Sequence, residues 1–340
     1  MRSGLEISQM RKMASVRRIT EINPIAGADA IACAVVDAGW PVVVKKGDFA
    51  VGELAIFFEI DSWVPHSLAP FLAKSSGPRM YNGIQGERLR TVKLRGQISQ
   101  GLLLPLLVAP GNWSEGDDLT EVLGVQKWEP SIPAQLAGVM RGNFPPFLRK
   151  TDQERVQNLA GKINWDDEYE VSIKLDGSSM TIWRNGADWG VCSRNVDLKL
   201  DQAGNAFVDT ALKITSCGFG DWPENIAIQG ELMGPGIQGN RENLTECKFF
   251  AFNAWDIADQ KYWPPVLARR LCTRLGINYV PVLHDSVRLV DIGINSVQTA
   301  LTAAEGPSMH AQTREGLVFK RTDGSDSFKA ISNAFLLREK

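Results

Sequence analysis

Lys174-Leu175-Asp176-Gly177 closes an alternating apolar run, Tyr169 to Ile173, and is followed by Ser178 and Ser179. This sets one lysine at the mouth of an expected strand. A lysine there is a candidate nucleophile. Its amine, with an ordinary pKa of about 10.4, attacks only when neutral, a form favoured by nearby positive charge. Downstream, in order, stand Ser193-Arg194-Asn195, Gln229-Gly230-Glu231-Leu232, Phe249-Phe250-Ala251-Phe252, Arg314-Glu315-Gly316-Leu317-Val318-Phe319-Lys320 and Ser327-Phe328-Lys329. Glu231 and Glu315 fall at expected strand ends, so both can point into one cleft and offer the oxygen ligands that suit Mg²⁺ or Mn²⁺. Lys320 and Lys329 lie close in sequence on successive strands and suit the holding of a phosphoryl group in its pentavalent transition state, Lys329 more than Lys320. Phe250 and Phe252 alternate onto one face of their strand, where an aromatic can stack on a flat ring. Arg155 and Arg194 are candidate phosphate or ribose contacts. Taken singly, each has an ordinary explanation: a turn lysine, a strand-end carboxylate, a surface ion pair, a core phenylalanine. Their occurrence together in this order is what carries the chemistry.

These residues need strands to position them. Short apolar strands are expected at Ala32 to Val36, Pro41 to Val44, Ala55 to Ile60, Leu89 to Leu94 and Gly101 to Leu107, a spacing that fits a small β-barrel. Around one of its later strands lie Arg79, Tyr81, Arg88, Arg90, Lys93 and Arg95, with Glu87 as the one opposing charge. A basic strand with an aromatic beside it is what an oligonucleotide-binding barrel presents to a phosphate backbone. A solvated outer strand face explains the same pattern. Residues 108 to 150, with Pro110-Gly111, Pro130, Pro133 and Pro145-Pro146, read as a linker plus one short helix. Thr151 is expected to cap a helix, with Glu154 three residues on, Gly161 closing it and Arg155 projecting from it. The remainder alternates. Strands are expected at Glu168 to Ile173, Thr181 to Arg184, Gly190 to Cys192, Ile226 to Glu231, Phe249 to Asp256, Gly316 to Phe319 and Phe328 to Ile331. Helices are expected at Asn205 to Ile214, Pro264 to Leu275 and Val297 to Glu305, the last capped by Ser296.

Bulk properties narrow the classes. At roughly 150 residues per domain, 340 residues imply two domains. The apolar fraction is 44% and no apolar run approaches the 18 or so residues of a bilayer helix, so no membrane span is expected. Met1 to Arg18 lacks the apolar segment of a secretory signal, which makes the cytoplasm the expected location. Cys33, Cys192, Cys217, Cys247 and Cys272 are scattered, odd in number and without a C-x-x-C pair, which argues against disulfides and zinc. His66, His284 and His310 are too dispersed for a metal site or a triad. The chemistry therefore rests on Lys, Glu and Asp. Net charge is −2, but residues 1 to 150 carry 17 Lys and Arg against 14 Asp and Glu, while the rest carries 20 against 25. The positive balance lies with the expected barrel.

The ordered motifs resemble those of the covalent nucleotidyltransferases, and among these the nick-sealing RNA ligases of the Deinococcus type, which carry an N-terminal oligonucleotide-binding (OB) domain. Lys150-Thr151-Asp152, Asn253-Ala254-Trp255-Asp256 and Ser327-Phe328-Lys329-Ala330-Ile331-Ser332 extend the likeness over nearly the whole chain. The resemblance implies an α+β chain: an OB-like nucleic-acid-binding β-barrel over 1–108, a linker over 109–145, and an ATP-grasp-like adenylyltransferase domain over 146–340 with antiparallel sheets and flanking helices. It implies a monomer that uses ATP with Mg²⁺ or Mn²⁺ on nicked RNA or RNA-containing duplexes, recognised through backbone, 2′-hydroxyls and helix shape. Lys174 would carry AMP and Lys329 and Lys320 would hold the α-phosphate. Glu231 and Glu315 would organise the metal, and Ile173, Asp176, Gly177, Arg155, Arg194, Glu231, Phe250 and Phe252 would line the nucleotide. Arg88, Arg90, Lys93 and Arg95 would meet nucleic acid. Many RNA ligases carry Lys-x-Lys at the last motif, and here the first position is Ser327. Only Ala330 to Lys340 follow Lys329, which leaves no C-terminal barrel and favours an RNA ligase over a DNA ligase or capping enzyme. A non-catalytic RNA-binding repair scaffold is the remaining alternative.

Overall fold

The computed structural model describes residues 11–37, 39–73, 77–129, 138–216 and 218–338. Residues 1–10, Cys217, Pro130 and Pro133 lie outside them, and the short helix expected between 108 and 150 has no counterpart among the described residues. The chain divides into two compact units, 1–131 and 132–340. No described helix is long and apolar enough to cross a membrane.

In the first unit, β10 (Leu102–Pro105), β4 (Leu54–Phe58), β1 (Ala14–Ile25), β2 (Ala28–Val36) and β3 (Trp40–Lys45) form one sheet in that order. Gln100 N donates to Pro41 O at 2.7 Å and Val43 N to Ser99 Oγ at 2.9 Å, drawing the chain before β10 against β3. The sheet thereby curls on itself, which spares both edge strands. A second sheet orders β11 (Gln126–Lys127), β5 (Ser62–Pro65), β7 (Ile84–Arg88) and β6 (Arg79–Tyr81). Alternate residues of β1 and β4 turn inward, and Val16, Ile56 and Phe58 pack with Val64, Leu104, Leu119, Leu123 and Val125. The strand expected at Leu89 to Leu94 is two pieces. Leu89 is buried and tied to Ser62 at 2.8 Å, after which β8 (Val92–Leu94) and β9 (Gln97–Ser99) leave as a separate hairpin.

The second unit has two sheets. One runs β12 (Met140–Asn143), β17 (Val196–Leu198), β16 (Asp188–Cys192), β15 (Ser178–Asn185), β18 (Asn225–Met233), β19 (Lys248–Asp256) and β20 (Lys261–Tyr262), with β21 (Asn278–Tyr279) also on β19. The other runs β13 (Glu154–Arg155), β24 (Ser327–Ile331), β23 (Gly316–Arg321), β14 (Glu168–Lys174) and β22 (Val282–Arg288). Helices α1 (Ala206–Ile214) and α2 (Pro265–Arg274) cover the first sheet, and α3 (Val297–Ala303) packs in the core of the second. A short α4 (Asn333–Leu336) follows β24. The three longer helices begin where their caps stand. Asn205 accepts from Phe207 N and Val208 N, Pro265 opens α2, and Ser296 and Thr299 bond each other's backbone N–H.

The helix expected from Thr151 does not form. Glu154 and Arg155 pair in parallel with Phe328 and Lys329, and only a 3-10 turn follows, Val156–Leu159. Arg155 is therefore buried, 6% exposed, rather than projecting outward. Burial of Val156 and a fifth strand for the sheet outweigh the local capping signal, although Gly161 ends the turn at φ +76° as expected.

Candidate nucleotidyl-transfer site

Lys174 ends β14 opposite Gly316, the first residue of β23, which brings the preceding Glu315 beside it. Its Nζ donates to Glu315 Oε2 at 2.7 Å. Glu231, near the end of β18, accepts a bond from Gly177 N at 3.2 Å. Burial alone would lower the Lys174 amine, but Glu315, Glu231 and Asp176 outweigh it and the shift is upward. Burial pushes the Glu231 carboxyl up to about 8, against the pull of Lys174 and with added repulsion from Glu315 and Asp176. Lys174 pairs with Glu315 and Arg241 with Asp176, which leaves Glu231 without a cation of its own and resisting ionisation. A further cation beside Glu231 and Glu315 would let it ionise. Among the described residues no group of three or more His, Cys, Asp and Glu forms a metal cage. Two carboxylates completed by phosphate oxygens and water are, however, the usual setting of Mg²⁺ and the oxygen-rich one that Mn²⁺ favours.

Gly177 earns its place through space and not through a special backbone angle. A Cβ there would stand 2.5 Å from Leu232 O, 2.8 Å from Glu231 Cγ and 2.8 Å from Met233 Cγ. Only hydrogen lets the loop after Lys174 lie against β18. Asp176 is ion-paired with Arg241 at 2.9 Å, and Arg241 lies over the Phe335 ring at 4.5 Å. Ile173 turns its side chain into the core shared with Val171, Leu317 and Phe319, on the strand face away from Lys174.

Phe250 lies opposite Glu231 on β19 and shares its face of the sheet. Phe250 and Phe252 are both partly buried, so each retains ring area for stacking. Lys329, on β24, pairs with Val318 of β23, two ladder positions from Lys174 and Gly316, and stands beside Arg155. Lys320 is two positions further away, opposite Glu170. Its buried amine is committed to the Phe252 carbonyl, with Tyr279 Oη at 3.4 Å and Glu170 at 3.8 Å. Glu170 is also ion-paired with Arg269 at 3.1 Å. This network joins β14 and β23 of one sheet to β19 and β21 of the other, so in this arrangement Lys320 ties the sheets together and does not reach for a phosphate. No sequence motif marked Glu170, Arg269, Tyr279 or Arg241, because their partners are remote in the chain.

Burial pushes the Lys320 amine down from 10.5 to about 8, despite Glu170. A lysine neutral more readily when folded costs stability where it must stay charged. Between pH 8 and 10.5 the unfolded chain holds the extra proton, so this residue makes stability rise with pH across that window, by at most about 1.4 kcal/mol per unit. Urea unfolding of the wild type and of Lys320→Met at pH 8 and pH 10 measures this. The rise attributable to Lys320 is expected to vanish in the variant, and an identical pH dependence would refute it.

Arg194 reaches Asp152 at 3.0 Å, and Lys150 donates to Asn195 at 2.9 Å, so Lys150-Thr151-Asp152 and Ser193-Arg194-Asn195 dock on each other. Lys150, Thr151, Asp152 and Arg194 line a small pocket with Phe144, Ser179, Thr181 and Gln229. Ser179 is the cross-strand partner of Glu231, so this pocket lies to one side of Glu231 and Phe250 to the other.

In the first unit, Arg88 is half-buried, bonded to Asp61 at 2.5 Å and stacked over Trp128 at 3.9 Å. It holds the barrel together, contrary to the expectation that it faces nucleic acid. Arg90 is half-buried, and Lys93 and Arg95 are exposed.

An OB-fold domain family matches residues 13–106, and an RNA ligase family matches residues 167–331. No curated protein matches the chain. Among solved structures, a glutamate-to-alanine mutant of the Naegleria gruberi RNA ligase with AMP and Mn is 43% identical, with a TM-score of 0.88 over 97% of this chain and 99% of that one. A lysine-to-alanine mutant of the same ligase with ATP and Mn matches at 43% identity and TM-score 0.88 over 96% and 99%. The same ligase with PPi matches at 43% identity and TM-score 0.87 over 96% and 98%.

Proposed function

This chain belongs to the RNA ligase family, and we propose that it seals 3′-OH/5′-phosphate nicks in duplexes with RNA on the 3′-OH side, through a lysyl-AMP. It is an ATP-dependent ligase that works with a divalent metal. The observation that carries the mechanism is the Lys174 amine, 2.7 Å from Glu315 in the field of Glu231 and Asp176.

Lys174, once neutral, attacks the α-phosphorus of ATP. An N–P bond forms, the bond to the bridging oxygen breaks, and pyrophosphate leaves. AMP then passes to a 5′-phosphate oxygen, which breaks the N–P bond and returns the amine to its proton. Attack by the 3′-hydroxyl on the 5′-phosphorus forms the phosphodiester and releases AMP. Glu231 and Glu315 hold the metal, which when bound draws the carboxylates away from the ammonium and offsets phosphate charge. Lys329 stabilises the charge of the pentavalent phosphorus, with Arg155 beside it. Phe250 and Phe252 stack on adenine, and Asp176, with Arg241 behind it, orients ribose or the lysine. Arg194, on the opposite side of Glu231 from Phe250, contacts phosphate or ribose. The first unit supplies the nucleic-acid-binding surface, and the second the chemistry.

Nicked duplexes that differ only in whether ribonucleotides flank the 3′-hydroxyl test the substrate. Sealing is expected to fall about tenfold or more when those sugars are deoxy, because a site that hydrogen-bonds a 2′-hydroxyl leaves its own polar groups unpaired against a deoxy sugar. Equal sealing of both would point to a DNA ligase.

A further inference from the structure

Two hairpins of the first unit make the same two-residue turn with different residues. Between β6 and β7, Tyr81 pairs with Ile84, and Asn82 and Gly83 take φ of +46° and +80°. Between β8 and β9, Leu94 pairs with Gln97, and Arg95 and Gly96 take φ of +48° and +85°. Such turns favour Asn, Asp or Gly at the first central position, because any Cβ is strained at positive φ and a short polar side chain can offset the strain with a local hydrogen bond. Asn82 obeys this preference and Arg95 does not. A strained arginine at an exposed apex points to a side chain kept for what it contacts.

Its surroundings agree. Residues 92 to 96 are all exposed, and Val92 and Leu94 each keep 44% of their surface. Strand alternation sets those two on one face and Lys93 on the other. From Leu89 to Ser114 the chain holds three cationic residues, Arg90, Lys93 and Arg95, and no Asp or Glu. The hairpin is anchored on its β9 side, where Ser99 accepts from Val43 N at 2.9 Å, which leaves β8 as the outer edge.

We infer that the β8–β9 hairpin lies in the minor groove of the A-form duplex bearing the nick, with Arg95 at the groove floor, Val92 and Leu94 against the sugars, and Lys93 on a phosphate. An A-form minor groove is wide, shallow and lined with 2′-hydroxyls, and it admits a two-stranded ribbon that the narrow groove of B-DNA does not. The cations complement a phosphate backbone, the partner that an RNA ligase must hold. The inference rests on the RNA ligase reading and adds the element that recognises helix form.

The full-length chain and Arg95→Asn are compared for binding to a nicked RNA duplex, the same duplex in DNA, and single-stranded RNA. Asn suits the turn, so the variant should unfold at the wild-type temperature or above it. Its affinity for the RNA duplex should fall about fivefold or more, single-strand binding should change little, and the ratio of sealing to lysine adenylation should drop with the duplex affinity. Lys93→Gln should flatten the salt dependence of duplex binding by about one phosphate contact. Unchanged duplex binding in Arg95→Asn, or equal loss on all three ligands, would overturn the groove assignment while sealing by the wild type still stands. A wild type that carries AMP yet neither binds nor seals nicked RNA would instead overturn the reading beneath it.

Discussion

Lys174→Ala is expected to abolish transfer of α-labelled AMP from ATP to the protein, a loss of about 10⁴-fold or more, as when other covalent nucleophiles are removed. Lys174→Arg separates nucleophile from structural cation. A guanidinium preserves the pairing that now joins Lys174 to Glu315 at 2.7 Å, but it does not deprotonate in proteins and so presents no neutral amine. Both variants should be devoid of the alkali-stable, acid-labile label that a phosphoramide bond to lysine gives, and Lys174→Arg should unfold close to the wild-type temperature. Label on either variant equal to that on the wild type would place the nucleophile elsewhere. The electrostatics explain why the amine needs its substrate. Glu315, Glu231 and Asp176 keep it protonated in the free protein, so it becomes reactive only when those carboxylates acquire another cation.

The second large effect is expected from one methyl group. Gly177→Ala would drive a Cβ to within 2.5 Å of the Leu232 carbonyl and 2.8 Å of Glu231 Cγ, so the loop after Lys174 or β18 must move. The loop carries the nucleophile's neighbours, and β18 carries Glu231. A misplacement of about 1 Å costs on the order of 10²-fold in rate, whereas the overpacking itself costs roughly 1–3 kcal/mol in stability. Gly220→Ala is the control, since a Cβ there meets nothing within 4 Å and its φ is not positive. The expected result is a Gly177→Ala protein that folds, binds ATP and labels about a hundred times more slowly, beside an unaltered Gly220→Ala. Labelling of Gly177→Ala at the wild-type rate would show that the close approach is dispensable.

Much of the site was legible in the sequence because its chemistry is written as local strings. An alternating run before Lys174 and short apolar runs beside Glu231 and Glu315 place all three at strand ends, and the fold brings them together. The capped helices were legible for the same reason, since Asn205 and Ser296 act within one turn of themselves. Where a residue's fate depends on a partner far along the chain, local signals misled. Arg155 was assigned to a helix because Thr151 and Glu154 form a capping pattern, yet pairing with Phe328 and Lys329 made it part of a strand. Arg88 looked like one more cation on a basic strand until Asp61 and Trp128 enclosed it.

The sequence by itself determined the two-part α+β organisation and singled out Lys174, Glu231 and Glu315 as candidates, because residue type and periodicity are properties of adjacent positions. Tertiary structure alone decided which cations are enclosed by partners in the interior. Lys320 and Lys329 are nine residues apart and chemically identical, but only Lys320 meets the Phe252 carbonyl and Glu170 in the interior, and burial makes its charge costly. The glycine after Asp176 was likewise visible as a motif, while its reason, a neighbouring strand 55 residues away at Leu232, exists only once the sheets have packed.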